Sequence, residues 1–329
     1  MLKMDERIER QLLKKGYGIY NHSATQICSW TKKSLKDKGV CYKQTFYGVD
    51  CHRCLQFSPA AVFCENNCIY CWRPMEFMRI YEMKEEEVNS PKEIYERLLI
   101  ERKKLLSGFF GHPQVNERKL KEALKPTHFA ISLSGEPTLY PLLPDLIGYL
   151  RGLPHTKSIF LVTNAQEPSM LKLLSKSNAL PTQLYISCNA PNRDLFKKIM
   201  RPIYEDAWER FLKSLEICGN LRCRKVIRMT MIKGMNMDEE YFKEYAELLA
   251  PSKPHFIEIK AYMYLGYSRR RLREENMPSH EKIFSYAEKF LKDLENFEIM
   301  DEREESRIIL LSNQEKNICR FIRNPIPQV

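Results

Sequence analysis

The chain has 329 residues, of which 43% are hydrophobic and 29% are charged, a balance typical of soluble globular proteins. No apolar run approaches the length of a membrane span and the N-terminus leads into no apolar signal segment, so we expect a cytoplasmic protein that does not contact a membrane. A net charge of +11 favours a polyanionic partner, most commonly nucleic acid, although a basic solvated surface would carry the same charge, and eleven cysteines in a cytoplasmic protein favour metal or redox chemistry over disulfides.

The first sixty residues predict little regular structure. Apolar residues at helical spacing predict a short helix within residues 1–20 that ends near Gly16. Residues 21–60 predict an irregular basic segment. Three of its cysteines recur every thirteen residues and a fourth lies near the last of them: Cys28, Cys41, Cys54 and Cys51. This spacing is too wide for one loop but fits three loops that meet at one metal centre, either a second cluster or a structural metal.

The next segment carries three cysteines at the spacing C-x3-C-x2-C, namely Cys64, Cys68 and Cys71. The apolar run before them predicts a strand at Pro59–Phe63. Thiolates are the usual ligands of iron–sulfur clusters, which generally take four of them. One iron therefore remains for a distant residue, a substrate or a cofactor. A zinc site would need a fourth Cys or His nearby, and no second pair follows Cys71.

From there on the pattern predicts strands that alternate with amphipathic helices. Short apolar runs predict five further strands, at His128–Leu133, Ser158–Thr163, Gln183–Ser187, Lys225–Met231 and Phe256–Ala261. Helical periodicity predicts Pro91–Leu106, Glu117–Leu124, Leu142–Leu150, Pro168–Leu174, Asp206–Cys218, Asp238–Leu249 and Glu281–Leu294. About six βα units predict an α/β fold, either a parallel sheet curled into a partial barrel or an open doubly wound sheet.

Small and polar residues follow the predicted strands. Ser134, Gly135 and Glu136 follow the second strand, Asn164 follows the third, and Ser187 ends the fourth. Because active sites of such folds collect at the carboxyl ends of the strands, we expect these residues to face the cysteine loop.

The C-x3-C-x2-C loop together with Gly135 and Glu136 resembles the radical S-adenosylmethionine (SAM) superfamily. The resemblance implies a partial TIM barrel, an incomplete (β/α)6 barrel, in which Cys64, Cys68 and Cys71 bind a [4Fe–4S] cluster. It also implies that SAM chelates the remaining iron through its amino and carboxylate groups. The residues around SAM would then be Gly135 and Glu136 at the methionine amino group, Asn164 and Ser187 at the carboxylate or ribose, and Tyr70 on the adenine, with Ser134 also among the cofactor-binding residues. Tyr70 would otherwise only pack under the loop, and Asn164 and Ser187 would only cap turns.

The upstream cysteines resemble those of the tRNA 4-demethylwyosine synthases of wybutosine biosynthesis, in the short archaeal-type form without a flavodoxin domain. This resemblance implies that Cys28, Cys41 and Cys54 bind a second [4Fe–4S] cluster, with Cys51 as a competing ligand. It implies that Lys43 forms a Schiff base with pyruvate. The adenosyl radical would take a hydrogen atom from the methyl group of N1-methylguanosine-37 in phenylalanine tRNA (tRNA-Phe), and condensation with pyruvate would lose its C1.

The resemblance and the charge together predict the partners and regions. We expect tRNA to bind at Arg269, Arg270, Arg271, Arg273 and Tyr267, because cations contact phosphates and aromatic rings stack on bases. Electrons would come from a separate low-potential flavodoxin or ferredoxin, and we expect a monomer. The expected regions are 1–56 with the second cluster and the pyruvate lysine, 57–262 as the radical SAM barrel, and 263–329 as an extension that completes the fold and contacts tRNA. The alternatives are another radical SAM enzyme with an auxiliary cluster and a non-catalytic, metal-stabilised RNA-binding protein.

Overall fold

The computed structural model describes residues 1–74, 76, 78, 82–316 and 318–322. The strands are β1 (Tyr17–Tyr20), β2 (Ser23–Gln26), β3 (Cys54–Ser58), β4 (His128–Ile131), β5 (Ser158–Thr163), β6 (Gln183–Ser187), β7 (Arg224–Met231), β8 (Phe256–Ala261), β9 (Phe297–Arg303) and β10 (Ile308–Asn313). The helices are α1 (Glu6–Leu13), α2 (Ser29–Leu35), α3 (Tyr42–Tyr47), α4 (Pro91–Ser107), α5 (Glu117–Ala123), α6 (Leu143–Gly152), α7 (Pro168–Lys176), α8 (Arg193–Met200), α9 (Ala207–Gly219), α10 (Phe242–Leu249) and α11 (His280–Phe290).

These strands form one sheet in the order β1-β2-β3-β4-β5-β6-β7-β8-β10-β9. Strands β3 to β8 run parallel in sequence order, and helices connect each strand to the next. The hairpin β1–β2 extends the sheet at one side and the antiparallel strands β10 and β9 extend it at the other. The predicted α/β fold with six βα units is therefore confirmed, and the parallel part corresponds to the predicted partial barrel.

The two faces of the sheet are covered by different parts of the chain. Successive side chains of a strand point to opposite faces, so each parallel strand contributes to both layers. One face packs against the flanking helices in the main core, for example through Leu161 and Ile186. The other face packs on α3, which brings the N-terminal segment into the interior of the fold. The residues of this second cluster include Tyr42, Phe46, Tyr47, Phe160, Tyr185, Val226 and Phe256.

The first parallel strand lies earlier than predicted. The strand is Cys54–Ser58, in register with β4 from Cys54 opposite His128 to Phe57 opposite Ile131. The predicted strand at Pro59–Phe63 is wrong, because that apolar run forms a buried turn in which the Phe63 amide donates to the Ala60 carbonyl. Burial alone made this run resemble a strand.

Several elements were not predicted from the sequence. The segment 21–53, expected to be irregular, contains β2, α2 and α3, and the C-terminal part contains β9 and β10. Helix α8 was also missed, although Asn192 caps it by accepting a hydrogen bond from the Leu195 amide. In the described part of the chain, no helix is both long and apolar enough to cross a membrane.

Candidate active site

The cysteine loop is held against the chain segment that follows α8. The Asn67 amide donates to the Met200 carbonyl at 3.0 Å, and the Ile69 amide donates to the Ile199 carbonyl at 2.9 Å. In the opposite direction, the Ile203 amide donates to the carbonyl of Glu65 at 2.8 Å. Residues 65–69 thus pair with residues 199–203 like two short antiparallel strands, which fixes the loop before any cluster binds.

The loop brings its three thiols together. Cys64, Cys68 and Cys71 are free thiols. Cys68 is close enough to Cys64 for its charge to raise the pKa of that thiol, and Cys71 affects Cys68 in the same way. Burial raises the pKa of all three thiols. The side-chain amide nitrogen of Asn164, Nδ2, lies 3.8 Å from the sulfur of Cys64, which places the end of β5 beside the loop. Three adjacent thiols with one cluster corner uncommitted fit a [4Fe–4S] centre.

The turn after β4 lies directly against the start of the cysteine loop. Gly135 has φ +72°, and a Cβ atom there would lie 1.8 Å from the Ala60 carbonyl oxygen. The amide of Glu136 donates to the Phe63 carbonyl at 2.7 Å. Only glycine permits this contact, so Gly135 serves the approach of two backbone segments.

Glu136 connects the loops after two strands. Its Oε1 accepts hydrogen bonds from the backbone amide and the hydroxyl of Thr138, and its Oε2 accepts one from the backbone amide of Asn164 at 2.8 Å. Burial raises the pKa of Glu136 and also that of Glu65, its acidic neighbour in the cysteine loop. The hydroxyl oxygen of Ser134 is buried and has no hydrogen-bond partner among the described residues.

The other predicted SAM residues also lie near the loop. The hydroxyl of Tyr70 accepts a hydrogen bond from the Asn189 side chain at 2.7 Å and lies 3.6 Å from the sulfur of Met200. Ser187 is half-buried at the end of β6, opposite Arg228 of β7. The adenine-stacking role of Tyr70 and the SAM contact of Ser187 stay predictions.

The second cysteine set converges on one end of the sheet interior. Cys28 and Cys41 are the N-caps of α2 and α3, and Cys54 begins β3. The charge of Cys28 acts on both Cys41 and Cys54, so three remote segments lie near one another, and their role as ligands of one metal centre stays a prediction. Cys51 is buried beside them and also interacts with Cys28, so the choice between Cys51 and Cys54 as a ligand stays open.

Neither set is arranged around a single ion. Among the residues that the structure describes, no three Cys, His, Asp or Glu side chains converge closely enough to hold one metal ion.

Lys43 lies in α3 with its amine in the interior of the fold. Its Nζ is 4.5 Å from the ring centre of Phe160 and 4.6 Å from that of Tyr185. Burial, together with the positive charge of Arg228, lowers the pKa of the Lys43 amine. Lys43 as a whole residue is half-buried.

A charged group beside Lys43 was not predicted from the sequence. Arg228 of β7 donates two hydrogen bonds to Oε2 of Glu258 in β8, at 3.0 and 2.8 Å, and a third to the Tyr42 hydroxyl. Lys260 donates to the Ser306 carbonyl at 2.5 Å, and burial with the nearby charge of Arg228 lowers its pKa to about 8. The signal was present, since charged residues interrupt two otherwise apolar strands.

The predicted tRNA patch divides into exposed and enclosed residues. Arg269, Arg270 and Arg273 are exposed, as an RNA contact requires. Arg271 is only 12% exposed and donates to the carbonyls of Ile69, at 3.1 Å, and Cys71.

Tyr267 is also enclosed. It is buried, and its amide donates to the Trp72 carbonyl at 3.1 Å. Arg271 and Tyr267 therefore support the cysteine loop, and a tRNA contact remains a prediction for the three exposed arginines.

Comparisons with known proteins match this architecture. The Radical SAM superfamily model matches residues 59–249, and a model described as wyosine base formation matches residues 251–313. S-adenosyl-L-methionine-dependent tRNA 4-demethylwyosine synthases are similar over most of the chain. That of Pyrococcus horikoshii is 43% identical over 94% of this chain and 89% of its own, and that of Methanocaldococcus jannaschii is 38% identical over 95% and 98%.

Solved structures show the same similarity. A structure of TYW1 with a lysine–pyruvate adduct bound has a TM-score of 0.85 and 35% identity, over 97% of this chain and 99% of its own. A crystal structure of archaeal TYW1 has a TM-score of 0.77 and 32% identity over the same shares.

Proposed function

The chain belongs to the radical SAM tRNA 4-demethylwyosine synthases, and from that premise we propose that it condenses N1-methylguanosine-37 of phenylalanine tRNA with pyruvate. In this reaction a hydrogen atom leaves the N1-methyl group of the base. The methyl carbon then bonds to a pyruvate unit held by the enzyme, pyruvate C1 is lost, and ring closure gives the tricyclic base.

The cysteine loop supports the radical-forming part of this proposal. Cys64, Cys68 and Cys71 would hold one [4Fe–4S] cluster, and the turn of Ser134 and Gly135 would border SAM. When bound, the cluster and SAM supply the 5′-deoxyadenosyl radical. The protein's part is to hold the loop in place, through its pairing with residues 199–203 and through Arg271.

The placement of Lys43 is the observation that carries the pyruvate part. Phe160, under the Lys43 amine, lies within β5, and Asn164, beside Cys64, comes directly after the end of β5 at Thr163. The two residues are four apart, a rise of roughly 13 Å in extended chain, and in an extended chain residues at this spacing point to the same side. The amine and the radical site therefore share one interior, separated by a distance that a bound pyruvate and an extruded base would bridge.

The surroundings of Lys43 suit a lysine that attacks a ketone. The amine lies over two aromatic rings, and no carboxylate forms an ion pair with it among the described residues. A neutral amine in an apolar setting is the usual nucleophile for a Schiff base. The related TYW1 structure contains a lysine–pyruvate adduct, which supports the same role here.

The remaining partners follow from the same proposal. Cys28 and Cys41, with Cys54 or Cys51, would hold the second [4Fe–4S] cluster beside Lys43. The tRNA would contact the exposed arginines, since phosphate contacts dominate nucleic-acid affinity. A base would have to leave its stack to reach the interior. A separate low-potential flavodoxin or ferredoxin would deliver the electrons.

Anaerobic turnover tests the proposal. The protein with both clusters reconstituted is incubated with reductant, SAM, pyruvate and tRNA that carries N1-methylguanosine, and the digested nucleosides are analysed by mass spectrometry. We expect the tricyclic base and 5′-deoxyadenosine. Deoxyadenosine without the tricyclic base would indicate a different radical SAM reaction. Protein that binds no iron and forms no deoxyadenosine would indicate an RNA-binding protein.

Borohydride trapping tests Lys43 separately. Reduction in the presence of pyruvate should attach the three-carbon unit to the peptide that contains Lys43. The variant Lys43→Arg should lose the label and the tricyclic base but still cleave SAM. Lys225→Arg, a substitution of a buried lysine at the start of β7, is the matched control and should keep the label. A tricyclic base made by Lys43→Arg would refute the Schiff base.

A further inference from the structure

We propose that the carboxylate of Glu65, in the cysteine loop, accepts hydrogen bonds from the amino group of SAM. This inference rests on the use of SAM by the family and assigns a residue of this chain to it. The sequence pointed to Glu136 for this contact, and the geometry points to its neighbour.

Glu65 is a fully buried carboxylate whose nearest donors, its own backbone amide and the Asn164 side chain, act on it without completing a hydrogen bond. Its exposed fraction is 0%, and neither Oε1 nor Oε2 has a partner among the described residues. Leaving a buried acceptor unpaired is unfavourable, and a buried carboxylate is more unfavourable still. Its position directly after Cys64 places it at the cluster, since its charge acts on the thiols of both Cys64 and Cys68.

The neighbouring carboxylates already have partners. Glu136 accepts hydrogen bonds from the amide and hydroxyl of Thr138 and from the Asn164 amide. Glu167 accepts a hydrogen bond from the Tyr204 hydroxyl at 3.0 Å and lies 3.6 Å from Arg210. Of these three acidic groups, Glu65 alone retains both oxygens for a ligand.

Two other buried side chains around Glu65 lack partners as well. The hydroxyl of Ser134 and both polar atoms of the Asn66 amide have no hydrogen bond within the described part of the chain. Ser134 belongs to the turn after β4 and Asn66 to the cysteine loop, so two separate segments present unpaired polar atoms. Such a set is typical of a site whose polar ligand is a small molecule.

The charge around Glu65 selects the kind of group that it binds. The charged side chains that act on it, Glu136 and Glu167, are both acidic, so the site favours a positively polarised donor over a carboxylate. The described carboxylates do not converge closely enough to hold a metal ion. The amino group of SAM provides N–H donors, whereas its sulfonium provides none.

Ligand analogues separate this contact from others. Dissociation constants are measured anaerobically on the cluster-loaded protein for SAM, S-adenosylhomocysteine and 5′-methylthioadenosine. S-adenosylhomocysteine keeps the amino group but lacks the sulfonium charge, and 5′-methylthioadenosine keeps only the nucleoside. In Glu65→Gln, we expect SAM and S-adenosylhomocysteine to bind about tenfold to a hundredfold more weakly, with 5′-methylthioadenosine unchanged.

A matched control and a stability measurement complete the test. Glu167→Gln removes a partnered carboxylate from the same acidic group and should leave all three constants unchanged. Because Glu65→Gln replaces a buried acidic group with a neutral one of nearly the same size, the melting temperature of its ligand-free form should be no lower than that of the wild type. A purely structural role for Glu65 would lower that temperature instead. If Glu65→Gln does not load its cluster, Glu65→Asp is compared in the same way, with the same ligand pattern expected.

Three results would overturn the proposal. In Glu65→Gln, the first is unchanged affinity for SAM, and the second is binding of 5′-methylthioadenosine weakened as much as that of SAM. The third is weaker binding of SAM alone, which would indicate that Glu65 interacts with the sulfonium rather than the amino group. Absence of SAM binding by the wild type would instead contradict the proposed function, and the two failures are thereby distinguished.

Discussion

Arg271 offers a direct test of what holds the cysteine loop. Its guanidinium donates to the carbonyls of Ile69 and Cys71 and forms an ion pair with Glu76, while the side chain is 12% exposed. Arg271→Met keeps the length of the side chain but removes every donor. We expect the loop to lose order and the protein to lose its cluster, with little change elsewhere.

The magnitude follows from the groups that are left behind. Each enclosed carbonyl that loses its one donor among the described residues costs about 1–3 kcal/mol, whereas the half-exposed Glu76 adds little. The sum for two carbonyls, about 2–6 kcal/mol, corresponds to a cluster affinity reduced roughly 30-fold to 20,000-fold. Because the loss is confined to the loop, the free energy of unfolding of the cluster-free protein should change less.

The assay is the rate of iron loss to a chelator under anaerobic conditions, compared with tRNA affinity. Arg270→Met is the matched control, since Arg270 is exposed on the same segment and lies over the ring of Tyr267. It should keep the cluster and weaken tRNA binding. Arg271→Lys, which retains one donor, should be intermediate. If Arg271→Met kept its cluster like the wild type and weakened tRNA binding like Arg270→Met, the contacts of Arg271 would not stabilise the cysteine loop and the reasoning would be refuted.

Two further predictions concern the backbone and pH. Gly135→Ala should abolish SAM binding and lower the urea midpoint, because its Cβ would overlap the Ala60 carbonyl. Gly234 is the control, with φ +77° and nothing within 4 Å of an added Cβ, so Gly234→Ala should lower the free energy of unfolding by only about 1–2 kcal/mol. Equal losses of stability in the two variants would contradict this reasoning. Burial and the charge of Lys225 lower the pKa of His255 to about 4, below its unfolded value near 6.5. As pH falls, the unfolded state therefore binds the proton before the folded state does. The free energy of unfolding should decrease as pH falls from about 6.5 to 4. His255→Asn keeps an acceptor for the Lys225 amide, and urea midpoints across this range should vary less with pH than in the wild type; an unchanged profile would refute the assignment.

The parallel strands were the most predictable part of the fold. The bounds of β5 (Ser158–Thr163), β6 (Gln183–Ser187) and β8 (Phe256–Ala261) match the predicted ones because strands buried on both faces consist of short, mostly apolar runs. Strand β3 was missed because Cys54, Gln56 and Ser58 alternate with apolar residues. One face of that strand looks into the interior and carries a proposed cluster ligand.

The antiparallel parts and α8 depended on partners that the local sequence does not reveal. Strand β10 pairs with β8 through residues 48 to 56 positions apart along the chain, from Ile308 opposite Lys260 to Ser312 opposite Phe256, and β9 joins the sheet through β10. The first hairpin is four residues per strand and contains Gly18, a weak strand former. Such short elements are stable only because the rest of the sheet supports them.

The sequence predicted the proposed cluster ligands of the candidate site, but it did not predict the residues that support them. The spacing of Cys64, Cys68 and Cys71 identifies a cluster site, because thiols that close together have few other uses. Nothing in the local sequence of Arg271 distinguishes it from the exposed arginines beside it. Its contact with Cys71 depends on how the segment after β8 folds back across the sheet. The unpaired oxygens of Glu65 could be recognised only once every neighbouring donor was placed.

These supports show why the two regions matched by family models act as one unit. Strand β8, in the region matched as wyosine base formation, pairs along its length with β7 of the radical SAM region. Arg271 of the former closes on Cys71 of the latter, and Gly266 allows this because a Cβ there would lie 2.3 Å from the Trp72 carbonyl oxygen. Without residues 251–313, β7 would be an open edge and the cysteine loop with the adjoining Trp72 would lose donors to three carbonyls. The region that distinguishes this family is therefore also part of what holds the proposed cluster ligands in place.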